Sequence, residues 1–236
     1  RKFDINFKFS KSIKYNFFPR PHFLINESTI FKDQNEISKI NKLKIFISFD
    51  NFFSFKNIEV RDLIFENANF NLNNKNYNFF LQLLDKNFED GNLKIKDSNI
   101  FFRNSNEEVL FINKILKIKY RHDPKELKNY LQSDNEIFNI PFSMESYFNE
   151  DKSKIFTNIN LNLMKLRIEN ELTLNNEKQF GKSDLFFNKL KRSLEYQIKK
   201  NYFKFHVFDK LDQPTITYKG EFNFKPFYAN LDGDLD

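Results

Sequence analysis

The sequence predicts a mainly β protein, built as an elongated, curled antiparallel sheet with one or two short helices near its N-terminal end. Three observations lead there. Apolar residues alternate with polar ones at period two through most of the 236 residues, the spacing of strands with one buried face. The links between these runs are short and rich in Asn, Asp and Lys, so consecutive strands form meanders and hence an antiparallel sheet. Only one stretch carries convincing helical spacing. About a dozen strands of roughly 7–11 residues result.

The first run is Phe3, Ile5, Phe7 and Phe9. Phe17-Phe18-Pro19-Arg20-Pro21 then forms a corner, because proline fixes φ, lacks an N–H and suits the first residue of a strand. His22 opens the next strand, with Phe23, Ile25 and Glu27 on one face. Asp33 to Glu36 is a turn, and Leu43, Ile45, Ile47 and Phe49 alternate after it. Phe52, Phe53 and Phe55 read either as a short helical turn or as a buried bridge.

The run from Ile58 and Val60 to Leu72 is interrupted by carboxylates, which predicts a bulge near Asp62. Tyr77–Leu84 is the best helix, with Phe79, Phe80, Leu83 and Leu84 on one stripe. Leu93 and Ile95, then Ile100 and Phe102, form a strand kinked at Asp97-Ser98. Leu116, Ile118 and Tyr120 are in phase on the next strand. Asp123-Pro124 reads as the N-terminus of a second, weaker helix ending at Leu131.

Phe138, Ile140, Phe142 and Met144 alternate, as do Ile155 to Leu163 and Leu166 to Leu174. Leu194, Tyr196 and Ile198, then Phe203, Phe205 and Val207, read as a hairpin through Lys199-Lys200-Asn201. The last strands are Ile216–Phe224 and, beyond Pro226, Leu231–Leu235. Asp232-Gly233-Asp234 lacks the regular oxygen ligands of a calcium loop and reads as a strand-end turn.

Composition narrows the chemistry. The chain has 33 Phe, 4 Gly, no Trp and no Cys, which excludes disulfides, thiolate nucleophiles and cysteine zinc sites. The abundance of Lys, Asn, Ile and Phe fits an AT-rich genome. A formal charge of +6 attracts nucleic acid or anionic headgroups, or simply reflects codon bias that places Lys on solvated faces. His22, His122 and His206 lie on separate segments without metal-ligand spacing. There is no nucleophile elbow, phosphate loop or dinucleotide fingerprint, and no RNA-binding aromatic motif. The reading is a non-enzymatic protein with no cofactor, no metal and no nucleic-acid partner. No apolar run is long enough to span a membrane as a helix.

The aromatic-Pro-X-Pro strand at Phe18–Ile25, the strand Leu43–Phe49, the Phe52–Phe55 segment and the run Asn57–Ala68 together resemble the start of the AsmA-like family of bacterial envelope proteins. Ile216-Thr217-Tyr218-Lys219-Gly220-Glu221-Phe222-Asn223-Phe224-Lys225-Pro226-Phe227 resembles a strand that recurs in the same family. The resemblance implies an elongated β-groove conducting phospholipid or another acyl-chain lipid across the periplasm, in the service of outer-membrane biogenesis. It also implies an inner-membrane anchor helix preceding Arg1, so the chain reads as a piece of a longer protein with other envelope partners. Residues 1–120 would be the N-terminal module and 121–236 the continuation of the groove, extended by further strands past Leu231–Leu235.

A sheet this apolar on one face must cover it. Pattern alone leaves open a closed sandwich or barrel, of structural or adhesive use, and a trough filled by lipid. In the trough, the lining candidates of the first half are Phe23, Ile25, Leu43, Ile45, Ile47, Ile58, Val60, Leu93 and Ile95. In the second half they are Ile159, Leu161, Leu172, Leu194, Tyr196, Phe203, Phe205, Phe222 and Phe224. Phe80 and Leu84 would cap one end of the groove from the helix.

Overall fold

The computed structural model describes residues 5–9, 12–32, 35–49, 58–73, 75–174, 178–188, 190–199, 202–209, 216–224 and 227–235. They are mainly strand. The strands are β1 (Asn6–Phe9), β2 (Ile13–Asn16), β3 (His22–Lys32), β4 (Asn35–Ile47), β5 (Val60–Leu72), β6 (Asn92–Arg103), β7 (Val109–Asp123) and β8 (Lys128–Ile137). There follow β9 (Ile140–Phe148), β10 (Lys154–Leu161), β11 (Leu166–Thr173), β12 (Gln179–Phe187), β13 (Leu190–Lys199), β14 (Tyr202–Phe208), β15 (Ile216–Phe224) and β16 (Phe227–Leu235). The one α-helix among the described residues, α1, spans Phe79–Leu84.

Hydrogen bonding follows chain order, with β1 and β2 sharing one edge of β3 and β16 pairing only with β15. The sheet is therefore open, and the closed-barrel alternative is set aside. Among the described residues sixteen strands replace the expected dozen, β1 and β2 being short separate strands of four residues each. The chain divides into two compact units, Arg1–Pro141 and Phe142–Asp236.

In the first unit one pairing departs from the expected meander. β5 and β6 run parallel, with Leu63 opposite Leu93 and Phe65 opposite Ile95. A parallel pair needs a crossover of a dozen or more residues, and residues 73–91 provide it through α1. Gly91 closes this crossover against β5: a Cβ there would lie 1.7 Å from the Arg61 carbonyl oxygen, so only glycine fits.

The crossover also supplies the core's lid. Phe79, Leu83, Leu84 and Phe88 are buried, and the Phe80 ring lies 5.1 Å from that of Phe70. The Tyr120 hydroxyl donates to the Phe80 carbonyl at 2.7 Å, and Asn129 Nδ2 to the carbonyls of Leu84 and Lys86 at 3.0 and 2.6 Å. The bond to Leu84 satisfies a carbonyl that the helix C-terminus leaves open. Beneath lie Phe65, Leu93, Ile95, Leu43 and Tyr120, all at 0% exposure.

The first unit is curled. Phe7 on β1 meets Phe65 on β5 with ring centroids 5.9 Å apart, although three strand steps in a flat sheet would separate them by about 14 Å. A line of backbone kinks crosses these strands. Glu27, Asn67 and Asp97 on β3, β5 and β6 all take left-handed φ, at 55°, 54° and 47°. The pairing omits each of them without a register shift, whereas Leu116 on β7 is a bulge at which the β7–β8 register slips.

Several sequence expectations are corrected by these details. Glu27 is exposed at a left-handed kink, outside the row of Phe23 and Ile25. Leu116 is 41% exposed, and Ile115, Ile118 and Tyr120 face the core instead. Residues 124–127 form no helix: they are a hairpin turn in which Asp123 Oδ1 accepts the Lys125 N–H at 3.0 Å. Phe138 is a turn residue with φ 51° and 77% exposure. Asp232-Gly233-Asp234 lies within β16, not at a strand end. The expected bulge near Asp62 is present, since the register slips opposite Phe46 and Ile47. The Phe52–Phe55 segment and Phe3 lie outside the described residues.

Asp62 is a buried carboxylate in this unit. It accepts from Arg20 Nη2 at 2.7 Å, and from the Asn92 backbone and side chain at 3.0 and 3.1 Å. Burial alone would raise its pKa. The hydrogen bonds from Asn92 and Arg20 and the charge of Arg20 outweigh that and hold it below the usual carboxylate value. A depressed pKa stabilises the fold above the unfolded value of about 3.9 and loses that contribution as pH falls through the folded value. Asp62→Asn should therefore flatten the fall in stability on acidification below about pH 4, measured by urea titrations at several pH values. An unchanged acid slope would refute the linkage.

Candidate functional site: the apolar face of the second unit

Strands β9–β16 place their apolar residues on one face by register. One row across the strands reads Phe148, Ile155, Leu172, Gly181, Tyr196, Phe205, Gly220 and Leu231. A second reads Met144, Ile159, Ile168 and Leu185, and a third Leu161, Leu166, Phe187 and Leu190. Ile198, Phe203, Phe222 and Ala229 form a fourth. The opposite face carries the charges, including Lys154–Glu171 at 2.5 Å, Lys191–Asp184 at 2.9 Å and Arg167–Glu169 at 3.3 Å.

The two units differ in how this kind of face is covered. In the first, α1 and the segment after it bury it. In the second, among the described residues, Ile155 is the one buried hydrophobic side chain on this face, Phe208 being buried on the opposite face, and the unit contains no α-helix. Ile159, Leu161, Leu172, Leu194, Tyr196, Phe203, Phe205 and Phe222 are all half-buried. Phe224 is on the same face by register, opposite Phe227. In the first unit Ile25, Leu43, Ile47, Leu93 and Ile95 are core residues at 6% exposure or less. Phe23, Ile45 and Val60 are half-buried, and Ile58 is 52% exposed ahead of β5. Leu84 is buried and Phe80 half-buried on α1.

Glycines flatten the face. The Tyr196 ring lies over Gly181, where a Cβ would come within 2.0 Å of Tyr196 Cζ. The Phe205 ring lies over Gly220 in the same way, and Tyr218 over Gly233. Each ring leans across the missing side chain on the neighbouring strand. Phe203, Phe205 and Phe222 form a ring cluster with centroids 5.8–6.4 Å apart.

A line of hydrogen-bonding residues that the sequence reading missed crosses the apolar rows: Ser146, Thr157, Asn170 and Ser183 occupy successive positions on β9–β12. Ser146 and Thr157 share a hydrogen bond of 3.0 Å. Asn170 Oδ1 accepts from the Ser183 and Tyr196 hydroxyls, both at 2.7 Å. Burial pushes the Tyr196 phenol pKa up. Within each strand these residues look like ordinary interruptions of alternation. Only the cross-strand register aligns them.

Gly181→Ala should drive the Tyr196 ring off β12 and break its bond to Asn170, at a cost of about 1 kcal/mol. The tyrosine's titration should move back toward its ordinary value as burial is lost. NMR titration of ring-labelled tyrosine reads this directly, and an unshifted Tyr196 resonance would refute the overlay.

His22 and His122 serve local structure. His22 Nδ1 lies 2.8 Å from the Arg20 carbonyl, and its ring stacks on Phe46. His122 Nδ1 lies 3.0 Å from Asn129 Oδ1. Among the described residues no helix is long and apolar enough to cross a membrane. Compared with known protein families and with curated proteins, the chain matches none.

Proposed function

We propose that the second unit binds acyl-chain lipid, phospholipid above all, along its apolar face and passes it across the strands. In this reading the chain is a periplasmic module of an inner-membrane-anchored protein of the AsmA-like kind. It contributes to phospholipid transport and outer-membrane biogenesis and performs no catalysis. The face of β9–β16 carries the reading: its apolar rows cross eight strands, remain half-exposed, and lack the lid that α1 gives the first unit. Exposed apolar surface of such extent marks a binding site. Flat rings over glycines and aliphatic rows offer a surface that suits sliding alkyl chains better than the anchored hot spots of a protein partner. In the first unit Ile25, Leu43, Ile47, Leu93 and Ile95, named as lining from the sequence, belong to a packed core, so the lipid path there is reduced to whatever α1 leaves open.

Native mass spectrometry of protein purified in mild detergent should find adducts of phospholipid mass, and delipidated protein should regain them from vesicles. Failure to acquire lipid under any of these conditions, with the fold intact, would overturn the proposal in favour of a structural or adhesive role.

A further inference from the structure

The lipid-facing surface carries one charged residue, and its position gives the proposed cargo a polarity. On β9–β16 every position of the apolar face is neutral except Arg192. Arg192 stands opposite Leu185 and two residues along β13 from Leu194. It is half-buried. Its Nη1 donates to the Lys191 carbonyl at 2.9 Å, which uses one of a guanidinium's five N–H donors. Among the described residues no carboxylate pairs with it. The neighbouring cations differ: Lys191 is bound to Asp184 and Arg167 to Glu169, both on the charged face. Asp209, in the bend after β14, already has a partner.

A cation held partly out of water beside apolar side chains, with donors to spare, is completed by an anionic oxygen. The residues diagonal to it extend that chemistry. Ser183 lies one strand over, and Asn170 beyond it has its Oδ1 taken by two hydroxyls. Its Nδ2 therefore remains to donate. The line from Arg192 through Asn170 thus presents donors to a ligand that brings acceptors.

We propose, building on the lipid-binding reading above, that Arg192 with Asn170 recognises the headgroup of an anionic acyl-chain lipid. A monoanionic phosphodiester accepts from the guanidinium, and the acyl chains lie over Ile159, Ile168 and Leu185. Arg192 sits two residues from the β12–β13 turn, where Phe187 and Leu190 are 49% and 58% exposed. The headgroup is thereby held near the rim, where its remaining oxygens stay hydrated, while the chains occupy the face. Selectivity for charge, not for chain, is the consequence.

Delipidated full chain incubated with vesicles of equal phosphatidylglycerol and phosphatidylcholine, identical in acyl chains, tests this by native mass spectrometry. Wild type should retain the anionic lipid with about five-fold preference, the range of a partly exposed charge pair. Arg192→Gln should bring the ratio to parity with total lipid unchanged, and Arg192→Lys should keep most of the preference. Glycerol phosphate, which lacks the chains, should not compete at equal concentration. Wild type that binds both lipids equally, or Arg192→Gln that keeps the preference, overturns the assignment and leaves the lipid reading standing. Competition by glycerol phosphate would mean a free-anion site and overturns it too. Wild type that takes up neither lipid removes both.

Discussion

Phe65→Ala should cost the first unit about 3–5 kcal/mol, the range for emptying a packed aromatic site. Phe203→Ala should cost the second unit only about 1–2 kcal/mol, for lost ring contacts and partial burial. The two rings are chemically identical and both lie on the apolar face of their strands. Phe65 is at 0% exposure, in edge contact with Phe7 and flanked by Leu43 and Ile95. Phe203 is half-buried, with the rings of Phe205 and Phe222 beside it. Truncating Phe65 leaves a cavity. Truncating Phe203 leaves a shallower surface. Urea denaturation followed by circular dichroism should resolve the difference for the two variants. Equal losses would mean that the second face is also a closed core, and the lipid reading would fall with the contrast.

Alternation was enough to find most strands. It also found the β13–β14 hairpin, in which Tyr196 pairs with Phe205 and Ile198 with Phe203. The kink at Asp97 was legible, since Asp tolerates the left-handed backbone it adopts. Glu27 adopts the same backbone without any such marker, so its kink is invisible in the sequence and the alternation puts Glu27 on the wrong face. The parallel pairing of β5 and β6 was missed for another reason. The helix was recognised, but a meander was assumed around it, and a crossover differs from a long hairpin only in tertiary contacts. Arg192 and the Ser146–Ser183 line were missed because they belong to no single strand's pattern. Neutral and charged residues interrupt many strands here. Which interruptions share a face depends on the register of every intervening hairpin.

Leu161→Asp is expected to separate folding from cargo. Leu161 ends β10 opposite Leu166, and both are half-buried. In lipid-free protein the new carboxylate can stay hydrated, so the melting temperature should move by no more than a few degrees, as for a surface change. With acyl chains in place the same carboxylate loses its water without gaining a partner. A lone buried charge costs several kcal/mol or takes up a proton. Lipid occupancy at neutral pH should therefore collapse. It should return as pH falls below about 4, where the carboxylate is neutral even in water. The control is Leu93→Asp, at 0% exposure beneath α1, which should unfold the first unit outright because no hydrated state of that side chain exists in the fold. Thermal melts and native mass spectra of both variants across pH decide the matter. If Leu161→Asp melts like Leu93→Asp, the second face is packed protein. If it binds lipid as wild type does at neutral pH, the chains run elsewhere on the sheet.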